Sequence, residues 1–175
     1  MKVLPSNMMR VNGQPIEVAT SPGRRLSDVL RDEIGLKGTK VGCDAGDCGA
    51  CTVLLNGAPV CSCLTPVGQA FDGEIVTVEA LSGDTIGDLQ QSFLRHGAAQ
   101  CGICTPGMLI AATALLNRTR TPTRQEVETA LGGVLCRCTG YQKIVEAILD
   151  VDGATAAPNP AAGMAVGARL ERMDG

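Results

Sequence analysis

Within the stretch Gly42 to Cys51, GCDAGDCGAC, three cysteines stand in C-x4-C-x2-C spacing at Cys43, Cys48 and Cys51, and Cys63 follows. Few backbones satisfy such a run, because the loop must turn several thiols toward one small centre. The spacing is that of a [2Fe-2S] site in which a wound loop supplies three ligands and a later segment the fourth. A second set, Cys101, Cys104, Cys136 and Cys138, combines C-x2-C with C-x-C. Two sets of four account for eight of the nine cysteines, which predicts two metal centres in 175 residues.

An iron–sulfur core is anionic, and reduction adds a further negative charge. Backbone N–H groups aimed at sulfur offset that charge and tune the potential. Gly42, Gly46 and Gly49 suit this, since glycine takes unusual dihedrals and lets the backbone approach closely. They are therefore candidate cofactor-binding positions. A four-cysteine zinc site more often uses two short C-x-x-C knuckles than a wound loop with one distant ligand. Cys61 and Cys63 lie two apart in a segment read as a strand, so both would share one face. Spacing alone does not choose the fourth ligand between them.

In the second set, each cysteine group immediately precedes an expected helix. Two helix N-termini can thus converge on one centre, where exposed N–H groups and positive dipole ends favour an anion. Arg137, between Cys136 and Cys138, would point away from them in an extended segment. Gln100 is read as a hydrogen-bonded polar residue and Tyr141 as packing at a helix start. His96, the single histidine, is read as a capping or solvent residue. Asp44 and Asp47 are read as surface loop residues.

The cysteine usage fits a reducing compartment, where thiols serve metals or redox work rather than disulfides. An extracellular disulfide scaffold would leave one of nine cysteines unpaired. The opening MKVLPSNMMR has no long apolar region or cleavage signature, so no secretory signal is expected. The most apolar stretch, Met108 to Leu116, is too short to span a bilayer. The expected location is the cytoplasm, with no direct membrane insertion. Net charge is −3 and no basic run is long enough for a nucleic-acid surface. Two oxidised clusters with their thiolates would add roughly minus two each to the field if ligated as above. Aromatic residues are only 2%, so the cores must be aliphatic, and metal centres can supply cross-linking to small domains.

The organisation is read as two domains and a tail. Met8–Val11 and Gln14–Ala19 flank the hairpin signal Asn12-Gly13; Thr52–Leu55 and Ala58–Leu64 flank Asn56-Gly57. Leu26, Val29, Leu30 and Ile34 form a helical apolar face that Gly35 can end. Glu74–Glu79 suits a last strand. Helices are then expected at Thr85–Phe93, Thr105–Leu116, Thr123–Leu131 and Tyr141–Leu149. Thr105 is expected to cap, with Pro106 at the first helical position, and Thr123 with Glu126 has capping-box spacing. This predicts an α+β chain: a strand-rich domain at 8–82, an all-helical domain at 83–152, and a tail at 153–175. That tail, rich in Ala, Gly and Pro, is read as disordered or as a strap ordered against a partner.

GCDAGDCGACTVLLNG with Cys63 resembles the plant-type ferredoxin (β-grasp) domain of the xanthine dehydrogenase/aldehyde oxidase family. QCGICTPG and LCRCTGY are similar to that family's four-helix [2Fe-2S]-binding domain. The resemblance covers residues 8 to 150 and matches the separate small iron–sulfur subunit of molybdenum hydroxylases. It implies that Cys43, Cys48, Cys51 and Cys63 bind the cluster nearer a flavin. It likewise implies that Cys101, Cys104, Cys136 and Cys138 bind the cluster nearer a molybdenum–pterin cofactor. Cys61 is then read as a buried structural thiol. Gln100 and Cys138 would lie beside the partner's pterin. Val134 stands where many members have Asn, which implies a small packing change.

The implied role is electron relay from a molybdopterin-type centre through two [2Fe-2S] clusters, singly, to FAD or another acceptor. The partners implied are a large Mo-pterin subunit and a medium FAD subunit, assembled as a dimer of heterotrimers. The substrate implied is an aldehyde, purine or N-heteroaromatic, hydroxylated in the large subunit. No catalytic residue is expected in this chain, which carries no nucleotide-binding fingerprint or Walker loop. The competing readings are a free-standing two-cluster ferredoxin and a zinc-stabilised scaffold.

Overall fold

The computed structural model describes residues 7–81 and 87–151. The expected boundary at 82/83, the helix start at Thr85, the opening residues 1–6 and the tail at 153–175 lie outside the described residues. The strand-rich part runs β1 (Met8–Val11), β2 (Gln14–Glu17), α1 (Leu26–Asp28), β3 (Thr52–Leu55), β4 (Ala58–Cys61) and β5 (Glu74–Val76). The helical part holds α2 (Asp88–His96), α3 (Thr105–Leu116), α4 (Arg124–Leu131) and α5 (Gln142–Leu149). The chain is therefore α+β.

The sheet order is β2-β1-β5-β3-β4. Its two hairpins form where Asn12-Gly13 and Asn56-Gly57 stand, and all four residues adopt positive φ. That is the backbone a two-residue turn of right-handed twist demands. β5 then enters between the hairpins, parallel to β1 and antiparallel to β3. Leu26, Val29 and Leu30 are completely buried against this sheet. The helix they begin widens over Val29–Glu33 into a turn closed by Ile34 N–H to the Val29 carbonyl, and Gly35 at φ +83° follows it.

Three strands end earlier than periodicity predicts, β4 and β5 for a visible reason. β2 stops at Glu17, after which Val18 donates to the Asn7 carbonyl. β4 stops at Cys61 because its carbonyl is taken by Leu64 N–H and the Thr65 hydroxyl, both at 3.0 Å. Cys63 therefore lies in a turn, and Cys61 and Cys63 do not share a strand face. β5 stops at Val76 because the Asn12 side chain replaces the ladder. Its amide donates to Thr77 Oγ1 and its oxygen accepts from Thr77 N–H, each at 2.9 Å. Val78–Leu81 then forms a 3-10 turn instead of continued strand.

The central element is α3. Nine of its twelve residues are buried, from Gly107 to Leu116 with Thr113 excepted. A helix apolar all round must be covered on every side. Met108, Leu109, Ala111, Ala112 and Leu115 pack into the helical core with Phe93, Val127, Leu131, Ile144 and Ile148. Ile110 and Ala114 face the other way, onto Leu54 of β3 and Val76 of β5. β3 is consequently covered on both faces, Val53 by the first core and Leu54 by α3. This explains why TVLL reads as an unbroken apolar run rather than an alternating one.

Candidate metal centres

The loop that carries the first cysteine set hangs between α1 and β3. Cys43 lies at its exposed rim, Cys48 is half-buried, and Cys51 and Cys63 are buried beneath it. The Ala45 and Cys48 N–H groups donate to Cys43 Sγ at 3.4 and 3.3 Å. These bonds favour thiolate and bring Cys43 down to about 7. Burial acts oppositely on Cys63, pushed up to about 12, although the Gly46 N–H favours its ionised sulfur. Arg25 pairs with Asp44, so this loop aspartate is an anchor to α1's start rather than a free surface residue. Asp47 is exposed.

The three loop glycines differ in what requires them. A Cβ on Gly42 would lie 2.9 Å from Cys48 Sγ. One on Gly46 would fall 2.2 Å from a Leu64 methyl, and Gly46 also takes φ +82°. One on Gly49, at φ +67°, would meet the Gly133 carbonyl oxygen at 2.0 Å. Gly49 thus serves the junction with the helical part as much as the cysteine loop.

The second set sits at the start of α3 and before α5. Cys101 and Cys138 are exposed with their sulfurs 3.5 Å apart, while Cys104 is buried and Cys136 half-buried. The Ile103 N–H, then the Cys138 thiol, lower Cys101; the Cys101 thiol raises Cys138. Burial pushes Cys104 up to about 12. Burial works the same way on Cys136, but the Thr139 hydroxyl at 3.1 Å and amide at 3.4 Å outweigh it, with help from Cys138 N–H. Cys136 therefore lies below the usual thiol range.

In both sets the thiols meet in pairs. Cys43 is within hydrogen-bonding reach of Cys48, Cys51 of Cys63, Cys101 of Cys138 and Cys104 of Cys136. A diiron core requires two protein sulfurs per iron, the bridging sulfides completing each metal. With metal–sulfur bonds of about 2.3 Å, tetrahedral angles put two such sulfurs about 3.8 Å apart. The 3.5 Å between Cys101 and Cys138 fits that requirement closely. Among the described residues no three His, Cys, Asp or Glu side chains crowd a single ion position.

Cys61 is half-buried rather than buried; its thiol donates to the Gly46 carbonyl at 3.7 Å and reaches Cys51. Burial, then the neighbouring Cys51, keep Cys61 above the usual thiol range. The expected Thr105 cap does not form. Cys104 occupies the capping position without a side-chain bond, Thr105 is already helical, and its hydroxyl is buried without a partner. Gln100 is exposed, and its side-chain amide donates to the Cys138 carbonyl at 3.3 Å. His96 binds Asp150 at 3.1 Å beside Arg95, tying the end of α2 to the end of α5. Arg137 is exposed.

Two features were not read from the sequence. Tyr141 caps α5 at φ +66°, and its phenol oxygen accepts the Cys136 N–H at 2.9 Å, so it braces a cysteine loop. The two cysteine sets also touch: Leu135 N–H donates to the Cys48 carbonyl at 2.9 Å. The glycines at 49 and 107 permit this approach, since a Cβ on Gly49 would lie 2.0 Å from the Gly133 oxygen and one on Gly107 2.5 Å from the Gly49 oxygen. Val134, buried here, packs against Gly107. No signal short of the assembled junction identifies these contacts.

Comparison with known proteins agrees with this geometry. A "2Fe-2S iron-sulfur cluster binding domain" matches residues 9–71 and a "[2Fe-2S] binding domain" matches residues 77–149. The class is thus an iron–sulfur protein with two [2Fe-2S]-binding units. The nicotine 6-hydroxylase small subunit of Paenarthrobacter nicotinovorans is 51% identical, over 83% of this chain and 88% of that one. The xanthine dehydrogenase iron-sulfur-binding subunit of Escherichia coli O157:H7 is 44% identical, over 81% and 91%. The solved quinoline 2-oxidoreductase of Pseudomonas putida 86 superposes with TM-score 0.79 at 46% identity, over 89% and 91%. This chain belongs to the small iron–sulfur subunits of the xanthine dehydrogenase/aldehyde oxidase family of molybdenum hydroxylases. No helix among the described residues is long and apolar enough to cross a membrane.

Proposed function

We propose that this chain relays electrons singly from a molybdenum–pterin centre, held by a large partner subunit, toward FAD on a medium subunit. Cys43, Cys48, Cys51 and Cys63 hold one [2Fe-2S] cluster, and Cys101, Cys104, Cys136 and Cys138 hold the other. When bound, the clusters supply one-electron exchange, while the hydroxylation chemistry belongs to the partner's cofactors. The chain's own residues position them: amides of Ala45 and Cys48 face Cys43, and Thr139 faces Cys136. The observation that carries this reading is the Leu135–Cys48 hydrogen bond, which joins the two thiol sets at one contact.

A subunit is favoured over a free-standing ferredoxin by the apolar rim around both sets. Leu64 is 61% exposed beside Cys63, Ile103 49% between Cys101 and Cys104, and Leu135 57% beside Cys136. Such side chains at the exposed edge of a redox site fit burial by a partner. Gln100 and Cys138, joined by their hydrogen bond, would face the pterin. The working division is a ferredoxin domain at 8–82 and a four-helix domain at 83–152. The assembly would be a cytoplasmic dimer of heterotrimers. Relatives named for nicotine, nicotinate, quinoline and xanthine favour an N-heteroaromatic substrate.

Changing Cys104 to Ser in the complete complex tests the relay. It should abolish one of two paramagnetic signals and slow substrate-driven flavin reduction in stopped flow by at least about tenfold, 1.4 kcal/mol in the barrier. Flavin reduction at the unaltered rate would exclude this route.

A further inference from the structure

Two buried side-chain hydroxyls among the described residues lack a hydrogen-bond partner, Thr39 Oγ1 and Thr105 Oγ1. A buried unmade hydroxyl bond is costly and rare in native proteins, so each one needs a reason. Threonines within helices here return their hydroxyls to the carbonyl four residues back. Thr113 does so to Leu109 and Thr129 to Gln125, both at 2.8 Å. Thr105 opens α3, so no helical turn stands behind it to accept its proton. It directly follows Cys104, whose sulfur belongs to the inner pair of the second thiol set.

The same Cys-Thr step recurs at the other side of that set. Thr139 follows Cys138, and its hydroxyl meets Cys136 Sγ, the partner of Cys104, at 3.1 Å. One sulfur of the inner pair thus has a threonine hydroxyl at hydrogen-bonding distance. Next in the chain to the other is a threonine whose hydroxyl is buried and has nothing to donate to. The amide of Thr105 opens the helix, and its neighbour Pro106 has no N–H to offer.

We propose that the Thr105 hydroxyl donates a hydrogen bond to a sulfur of the second cluster and thereby raises that cluster's reduction potential. This rests on the reading of Cys101, Cys104, Cys136 and Cys138 as a [2Fe-2S] site. Reduction adds one electron and one negative charge to the cluster without making or breaking a bond in the protein. A hydroxyl dipole aimed at sulfur favours the more negative state, so its loss makes the cluster harder to reduce. Thr105 acts here as a positioning residue on the cluster's electronics, not as a ligand.

The test is an EPR-monitored dithionite titration of the complete complex carrying Thr105→Val, Thr105→Ala or Thr105→Ser. The Cys104→Ser complex identifies the second cluster's signal by its loss. Val, which keeps the shape and removes the hydroxyl, should lower that signal's midpoint by a threefold to tenfold change in the one-electron equilibrium, where tenfold is about 59 mV. Ala should shift it in the same direction, Ser should hold the wild-type midpoint, and the first cluster's signal should stay in place. A wild-type midpoint in Val, a shift in Ser as large as in Val, or equal shifts of both signals would overturn the proposal. Loss of the signal in Val and Ala but not Ser would support it, and loss in all three would overturn it. A wild-type complex with a single signal would instead defeat the two-cluster reading itself.

Discussion

Gly49 holds two requirements at one residue: φ of +67° and a backbone contact that leaves its missing Cβ only 2.0 Å from the Gly133 oxygen. An alanine there meets left-handed strain of about 1–2 kcal/mol and an overpacked junction of about 1–3 kcal/mol. Gly49→Ala should therefore destabilise the protein by at least about 2 kcal/mol in urea unfolding. Gly57→Ala, at φ +81° but with open space around the Cβ, should show only the strain component. Equal losses at both positions would refute the close approach. Tyr141→Phe should cost about 1 kcal/mol in the same assay by orphaning the Cys136 amide. At this scale the pairing of thiols within each four-cysteine set could be anticipated because spacing is a local property of the chain. Tyr141 and Thr105 were not, since one depends on how the CRCTGY loop closes and the other on what α3's first turn lacks. Cys61, expected to be buried, is only half-buried.

Among the elements, α4 and α3 make separable predictions. Thr123 N–H and hydroxyl both bond Glu126, at 2.7 and 2.8 Å, and its oxygen accepts Glu126 N–H at 3.3 Å. Thr123→Ala should cost about 1 kcal/mol. The Thr123 amide, and after it the Thr123 hydroxyl, hold Glu126 below the usual glutamate range. Its folded pKa being the lower one, this stabilisation is present above the unfolded value and lost as pH falls through the folded value. Thr123→Ala keeps the amide and removes the hydroxyl's bond to the carboxylate, so that share of its deficit should shrink on acidification below about pH 4.3, as read by urea midpoints. A constant deficit across that range would contradict the capping-box account. On α3, Ile110→Ala removes a fully buried side chain between helix and sheet and should cost about 2–5 kcal/mol in the same assay. Both Asn-Gly hairpins and, to within a residue, the spans of α3, α4 and α5 could be read from adjacent residues, whereas α2 runs to His96, three residues past its expected end at Phe93. The shortened β2, β4 and β5 could not, since side chains such as Asn12, distant in sequence, decide where the ladder stops.

For the whole molecule, α3 makes one body of two sequence patterns, joining the sheet's Leu54 and Val76 to the helical core. That arrangement brings the wound cysteine loop and the CRCTGY loop into backbone contact through Cys48 and Leu135. The change from strand to helix signals marks two parts in the sequence, but the surface they share is written in Gly49 and Gly107, whose meaning appears only on assembly. The most direct measurement is iron and labile sulfide content with EPR of the dithionite-reduced complex. Two diiron sites predict about four irons and four sulfides per copy of this chain, with two distinct signals. Half that content with one signal, or zinc in place of iron, would contradict the account.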